Sequence, residues 1–181
     1  MKKLIMFAAC AMLAVYAQAA TVGWSLVGAN AFVGDKYMFF VEGQNGATSI
    51  ATITAFLDAG TDVSSYAFGS GSVASNGSGI VLPAASGKTL GEGSYTGFFV
   101  LFDSATPVAG ESQYVVISGL ANLSKTVAST TANISFATGS AATIVNNSAN
   151  WAAYGTAVPE PTSGLLMLVG LGALALRRRR A

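Results

Sequence analysis

The chain ends in an apolar segment that four arginines follow. Residues 162–176 carry no charge, and their leucines, methionine and valine would cover the whole circumference of a helix, which suits a lipid environment. The 16 residues from 161 to 176 would span about 24 Å as a helix, short against about 30 Å of hydrocarbon but usable, because arginine side chains reach towards headgroups. We predict a transmembrane helix at residues 162–176. We expect its stop-transfer anchor to be the cytoplasmic cluster Arg177, Arg178, Arg179 and Arg180.

The other end of the chain has the three parts of a secretory signal peptide. Two lysines supply the positive charge, residues 4–16 are uncharged and apolar, and Ala17 and Ala19 are small, as signal peptidase requires at its −3 and −1 subsites. We therefore predict a signal peptide at residues 1–19, exported by the Sec translocon and cleaved after Ala19. The alternative is an uncleaved anchor, which the short apolar run disfavours.

Two prolines flank a glutamate just before the C-terminal apolar segment, in the order Val158, Pro159, Glu160, Pro161. The prolines keep the chain extended and prevent a helix from starting earlier. Together with the apolar segment and the terminal arginines, this order and spacing resemble the PEP-CTERM protein-sorting signal of Gram-negative bacteria. We assign residues 158–181 to that signal.

The resemblance implies a processing enzyme and a destination. An exosortase, which is a membrane-embedded cysteine peptidase, is expected to recognise the tail and cleave near the Pro-Glu-Pro motif. Family members are generally surface or matrix proteins, often in organisms with exopolysaccharide and biofilm genes. The resemblance thus implies a precursor held transiently in the inner membrane, and then a location at the cell surface, outer envelope or extracellular matrix. A tail-anchored membrane protein that is never cleaved is the alternative.

Charge is concentrated at the two ends of the chain. Six of the nine basic residues lie there, and the three lysines between them face eight acidic residues, which gives a net charge of −5 in place of the overall +1. The chain has no histidine, and its one cysteine, Cys10, would leave with the signal peptide. This composition excludes a His/Cys zinc site, a Ser-His-Asp triad and a Cys-His dyad, and the net charge gives no attraction to nucleic acid.

The middle of the chain has the pattern of a mainly β domain, which we place at residues 20–145. Residues 95–103 and 113–118 give the strongest strand signals, because they are rich in Phe, Val, Tyr and Ile and are bounded by turn residues. Further strands are predicted at residues 21–27, 37–42, 80–82, 123–128 and 133–137. The rest of residues 73–93 is predicted to be loop because glycine, serine and alanine dominate it.

One segment of this domain has helical periodicity instead. Apolar residues recur every three or four positions along residues 48–59, with Thr48 or Ser49 as the N-cap and Gly60 just after the helix. Short strands about ten residues apart, together with one helix, predict a sandwich-like or α+β domain. Residues 146–157 are predicted to be a linker between this domain and the membrane.

Patterns that could carry chemistry are weak. Gly87-Lys88-Thr89 resembles the end of a P-loop but lacks the earlier glycine. Residues 58–62 could offer oxygen ligands to calcium, but they lack the ligand density of an EF-hand, so a helix end is favoured. A glycosidase needs only two carboxyl groups, but no spacing singles out a pair among Glu42, Glu92, Asp103 and Glu111. We assign no catalytic residue, cofactor or metal, and we expect no enzymatic activity.

Three hypotheses for the domain remain. The first, which we favour, is a structural or adhesive surface protein. The second is a carbohydrate-binding module that binds exopolysaccharide through exposed aromatic side chains; the third is an acid-pair hydrolase. The aromatic candidates fit core and sheet faces better than a carbohydrate platform; they are Tyr37, Phe39, Phe40, Tyr95, Phe98, Phe99 and Phe102.

Overall fold

The computed structural model describes residues 19–46, 49–74, 78–81 and 88–155, with the backbone alone at 78–81. The signal peptide up to residue 18, the sorting signal and the transmembrane helix predicted at residues 162–176 lie outside the described residues. Within the described ranges, no helix combines the length and the apolar character needed to cross a membrane.

Strands dominate the described part of the chain. The strands are β1 Ala20–Val27, β2 Lys36–Val41, β3 Gly69–Ser72, β4 Ser78–Val81, β5 Thr89–Leu90, β6 Gly93–Phe102, β7 Gln113–Ile117, β8 Ser124–Val127, β9 Asn133–Ala137 and β10 Trp151–Ala153. The helices are α1 Ile50–Asp58 and α2 Ala142–Val145. Single 3-10 turns occur at Asn30–Phe32, Ser64–Tyr66, Ala121–Leu123 and Ser148–Asn150.

The smaller sheet is built around β1. Strand β9 runs parallel to β1 along one edge, where Val22 lies opposite Ile134. Strands β4 and β5 are both antiparallel to β1 and share its other edge, with Trp24 opposite Val81 and Ala20 opposite Leu90. The first strand of the domain is therefore the centre of its own sheet.

The larger sheet is antiparallel throughout and has the order β10-β7-β6-β2-β3. Its longest strand, β6, pairs with β7 through its second half and with β8 through its first half. On its other side β6 pairs with β2, and Phe39 lies opposite Phe99. These two long strands form the middle layer of the domain.

Both faces of β2 are buried from residue 37 to 41 and both faces of β6 from residue 97 to 102, which explains the apolar sequences of these stretches. Side chains alternate along a strand, so Phe39 packs with Trp24 of the smaller sheet while Phe40 packs with Ile53 and Leu57 of α1. All of these side chains are at most 3% exposed. The domain therefore has three layers: the smaller sheet, the larger sheet and α1.

Helix α1 begins and ends where its sequence predicts. The Ser49 side chain accepts a hydrogen bond from the backbone N–H of Thr52 over 3.2 Å, which makes Ser49 the N-cap. The Glu42 carboxylate accepts a further bond from the N–H of Ile50 over 3.3 Å. After the helix, Gly60 has a φ of +72°, a conformation that favours glycine.

The mainly β, sandwich-like prediction is confirmed, including the single longer helix. The linker predicted at residues 146–157 differs from the structure, because residues 146–155 belong to the domain. The turn at Ser148–Asn150 leads into β10, in which Trp151 lies opposite Val115 of β7. The sequence pattern predicts neither strands at β3 and β5 nor a helix at α2, and the structure adds all three.

Candidate functional site

The last described residues are held to the domain by backbone hydrogen bonds. The N–H of Tyr154 donates a hydrogen bond to the carbonyl of Ser112 over 2.9 Å. The carbonyl of Tyr154 accepts a hydrogen bond from the N–H of Gly110 over 2.7 Å. Gly155 donates its N–H to the carbonyl of Leu57, at the end of α1, over 2.8 Å. The chain is thus fixed to both the larger sheet and α1 up to Gly155.

Gly155 occupies a position that disfavours any residue with a side chain. Its φ is +75°, and a Cβ there would lie 3.1 Å from the Cα of Gly60 and from the Cβ of Ala109. Four Cα–Cα steps separate Gly155 from Pro159, and they span about 14 Å at most. The predicted cleavage region can therefore lie only a short distance from Gly155, the last described residue.

A second feature is an aromatic cleft at the β10 edge of the larger sheet. The rings of Phe32 and Trp151 stack with centroids 4.8 Å apart and planes 30° apart. The cleft has a volume of about 380 Å³ and is lined by Phe32, Asp103, Gln113, Val145, Asn146, Ser148 and Trp151. We call it the Phe32–Trp151 cleft.

The acidic side of the Phe32–Trp151 cleft is well ordered by backbone contacts. Asp103 Oδ1 accepts a hydrogen bond from the N–H of Gln113 over 2.8 Å, and the N–H of Asp103 donates to the carbonyl of Gln113 over 3.1 Å. The pKa of nearby Asp35 is raised, first by burial and then by repulsion from the Asp103 carboxylate. The Asp103 carboxylate therefore lies on this side of the cleft, and no basic side chain is among the described residues that line it.

A smaller cavity of about 220 Å³ lies beside Tyr154, near the end of the domain. It is lined by Lys36, Met38, Asp62, Val63, Phe102, Pro107 and Tyr154. The pKa of Asp62 is lowered, mainly because its carboxylate accepts hydrogen bonds from the backbone N–H and the hydroxyl of Ser64, each over 2.9 Å. Burial, followed by the charge of Asp62, raises the pKa of Tyr154.

Most of the predicted site residues lie outside the described ranges. These are Ala17, Val158, Pro159, Glu160, Pro161 and the four arginines, whereas Ala19 is described and exposed. The structure does not support the calcium alternative at residues 58–62. Asp58 accepts a hydrogen bond from the Tyr114 hydroxyl group over 2.6 Å, and Asp62 accepts one from the N–H of Ser64. Among the described residues, no three His, Cys, Asp or Glu side chains come together.

Other residues considered for chemistry make local contacts within the domain. The Glu42 carboxylate accepts a hydrogen bond from the N–H of Ile50 at the start of α1. Lys88, from the P-loop-like sequence, donates a hydrogen bond to the carbonyl of Ala67. Asp103 lies near Asp35, a residue that sequence spacing did not single out.

The aromatic side chains considered for carbohydrate binding are core residues. All of them are at most 1% exposed except Tyr95, which is half-buried. The aromatic pair that does face a cleft, Phe32 and Trp151, was missed because no spacing rule joins two residues at opposite ends of the domain. The one available signal was a tryptophan inside a segment otherwise rich in small and polar residues.

Comparison with known proteins identifies the C-terminal segment. The family model of the PEP-CTERM protein-sorting motif matches residues 157–180, within one residue of the boundaries predicted from the sequence. No curated protein and no solved structure matches the chain. The motif implies an exported protein that an exosortase processes at the membrane. Residues 157–180 of this chain are thus a PEP-CTERM protein-sorting motif.

Proposed function

We propose that the chain is the precursor of a structural or adhesive protein of the cell surface or extracellular matrix. The observation that carries this proposal is the match of residues 157–180 to the PEP-CTERM sorting motif. The closely packed, three-layered domain is compatible with a passive extracellular role, since its aromatic side chains fill the core. In this account the domain is the cargo and the two ends of the chain direct its export.

The proposed sequence of events begins with export through the Sec translocon. Signal peptidase cleaves after Ala19, and the apolar residues 162–176 stop in the inner membrane with the arginines on the cytoplasmic side. The exosortase then cleaves near Pro159-Glu160-Pro161 and releases the domain towards the cell surface, outer envelope or extracellular matrix. Exopolysaccharide is a proposed partner there.

The short distance between Gly155 and Pro159 adds a geometric requirement. If the domain folds before cleavage, the exosortase must work within about 14 Å of Gly155. The surface next to that residue includes Gly60 and Ala109, which approach Gly155 closely. We propose that this end of the domain faces the membrane while the precursor waits for processing.

Transplanting the tail tests the proposal. Residues 156–181 are fused to an unrelated exported protein in the native host and in an exosortase deletion strain, and the C-terminus of the product is mapped by mass spectrometry. Cleavage near Pro159 in the native host alone is expected. An intact tail in both strains would refute exosortase processing and would favour the tail-anchored alternative.

The arginine cluster provides a second variant with a matched control. Replacing Arg177, Arg178, Arg179 and Arg180 with glutamine should let the tail pass through the membrane and send uncleaved product to the periplasm or medium. Replacement with lysine keeps the charge and should leave the tail in the membrane. If the glutamine variant were processed like the natural chain, the stop-transfer role would be wrong.

A further inference from the structure

We propose that the Phe32–Trp151 cleft binds a neutral sugar residue of an oligosaccharide or polysaccharide. This inference goes beyond the sorting function and does not depend on it, because the cleft lies entirely within the described domain. Its volume of about 380 Å³ falls within the range of small-molecule binding sites, about 300–1,000 Å³. The cleft also combines flat aromatic surface with convergent polar groups.

The aromatic part suits one face of a pyranose ring. A sugar ring presents C–H groups on its faces and hydroxyl groups around its edge, so an aromatic ring can pack against the face while polar groups bind the edge. Phe32 and Trp151 are each half-buried and both line the cleft. They therefore retain aromatic surface that a ligand can contact.

The position of Trp151 is fixed before any ligand arrives. Its indole N–H donates to the carbonyl of Val145 over 2.8 Å, and its backbone pairs with β7 opposite Val115. The turn that precedes it is held by Asn147, whose side chain accepts a hydrogen bond from the N–H of Ala149 over 3.1 Å. Such preorganisation lowers the entropic cost of binding.

The polar part supplies both donors and acceptors, which sugar hydroxyl groups require. Gln113 and Asn146 carry side-chain amides, Ser148 carries a hydroxyl group, and Asp103 carries a carboxylate. Asp103 Oδ1 is already bonded to Gln113, whereas Oδ2 has no hydrogen bond within the described ranges. The side chains of Gln113, Asn146 and Ser148 likewise make no hydrogen bond within the described ranges. The cleft therefore offers unused hydrogen-bonding capacity.

Charge selects the class of sugar. Asp103 lines the cleft and Asp35 lies near Asp103, while no basic side chain lines the cleft among the described residues. A phosphate, sulfate or uronate group would meet the Asp103 carboxylate without a compensating cation among the lining residues. The geometry thus favours neutral sugars over anionic ones.

Affinity electrophoresis of the full chain, purified in a mild non-ionic detergent, tests the proposal. The native gels contain laminarin, dextran or galactomannan as neutral polymers and alginate as the anionic polymer. We expect retardation by at least one neutral polymer and none by alginate. Retardation by no neutral polymer, or by alginate alone, would overturn the proposal.

Variants of the cleft then locate the binding. Phe32→Leu and Asn146→Ala should each weaken binding about three- to tenfold, the range for losing one stacking or hydrogen-bonding contact. Phe56→Leu is the matched control, because Phe56 stacks on Tyr66 at 5.4 Å on the helix side, away from the cleft. A loss as large with Phe56→Leu as with Phe32→Leu would contradict the assignment of the site.

Folding of each variant is measured separately by urea unfolding. Ser148→Ala removes only an exposed hydroxyl group at the cleft, so it offers a further test if Phe32→Leu unfolds the domain. Weakened binding of Ser148→Ala and Asn146→Ala with unchanged unfolding midpoints supports the site. Full binding by both variants would overturn it.

Discussion

The hydroxyl group of Tyr114 donates a hydrogen bond to Oδ1 of Asp58 over 2.6 Å and so joins β7 to the last residue of α1. Tyr114 is only 2% exposed. Burial raises its pKa first, and the hydrogen bond to Asp58 together with the charge of Asp58 raises it further. The phenol therefore stays neutral and remains a donor at physiological pH. This bond helps to fix the helical layer on the larger sheet.

Tyr114→Phe should lower the free energy of unfolding by about 1–2 kcal/mol, because it removes a hydrogen bond to a charged acceptor. Urea unfolding of the full chain in detergent measures the change through tryptophan fluorescence, since Trp24 is buried. Tyr95→Phe is the control, because the Tyr95 hydroxyl bonds the Gly91 carbonyl at an exposed position. Equal losses in the two variants would contradict this role of Tyr114.

Gly97→Ala should destabilise the domain by about 1–3 kcal/mol through overpacking. A Cβ at Gly97 would lie 2.8 Å from Phe136 Cδ1 and 2.8 Å from Phe39 Cε2, between the two sheets. Gly91→Ala is the control, since a Cβ there meets no atom within 4 Å, and we expect a change of less than about 0.5 kcal/mol. Unfolding midpoints of the two variants provide the comparison; a stable Gly97→Ala chain would refute the close packing.

The loss of stability at acid pH should depend in part on Asp62. Hydrogen bonds from Ser64 lower its pKa below the ordinary value of 3.8, so its contribution is present above that value and is lost as pH falls through the folded-state pKa. Asp62→Asn should therefore flatten the pH dependence of the unfolding midpoint below about pH 4. An unchanged slope would show that Ser64 does not stabilise the ionised carboxylate.

Ionisation of Asp35 should destabilise the domain, which is the opposite of the effect expected for Asp62. Its pKa is raised by burial and by Asp103, so its ionised form opposes folding as pH rises above the unfolded value. Asp35→Asn should be more stable than the natural chain at pH 7, and the difference should disappear near pH 3. Unfolding midpoints across this range measure the effect, and a variant that is less stable at pH 7 would contradict it.

The sequence predicts the elements whose own residues determine them. Residues 37–41 of β2 and 97–102 of β6 form nearly continuous apolar runs because both of their faces are buried, and α1 carries both its cap and its apolar stripe. Strand β3, with the sequence Gly-Ser-Gly-Ser, has little strand propensity. It forms because its glycines leave room for aromatic rings: a Cβ on Gly69 would overlap Trp24, and one on Gly71 would lie 3.1 Å from the Tyr37 hydroxyl.

The sorting motif and the Phe32–Trp151 cleft also differ in how far the sequence alone predicts them. The sorting motif is a local pattern, so order and spacing within residues 157–180 are enough to find it. The Phe32–Trp151 cleft depends on a stack between a turn after β1 and the start of β10. Only the folded chain brings those residues together, so no local pattern in the sequence predicts this cleft.

The most direct test of the account is mass spectrometry of the protein recovered from the cell surface or matrix of its natural host. We expect a chain that begins at or next to Ala20 and ends near Pro159-Glu160-Pro161, without the four arginines. In an exosortase deletion strain, we expect the uncleaved tail to accumulate. Recovery of an intact Arg180-Ala181 terminus in the mature surface form would contradict the account.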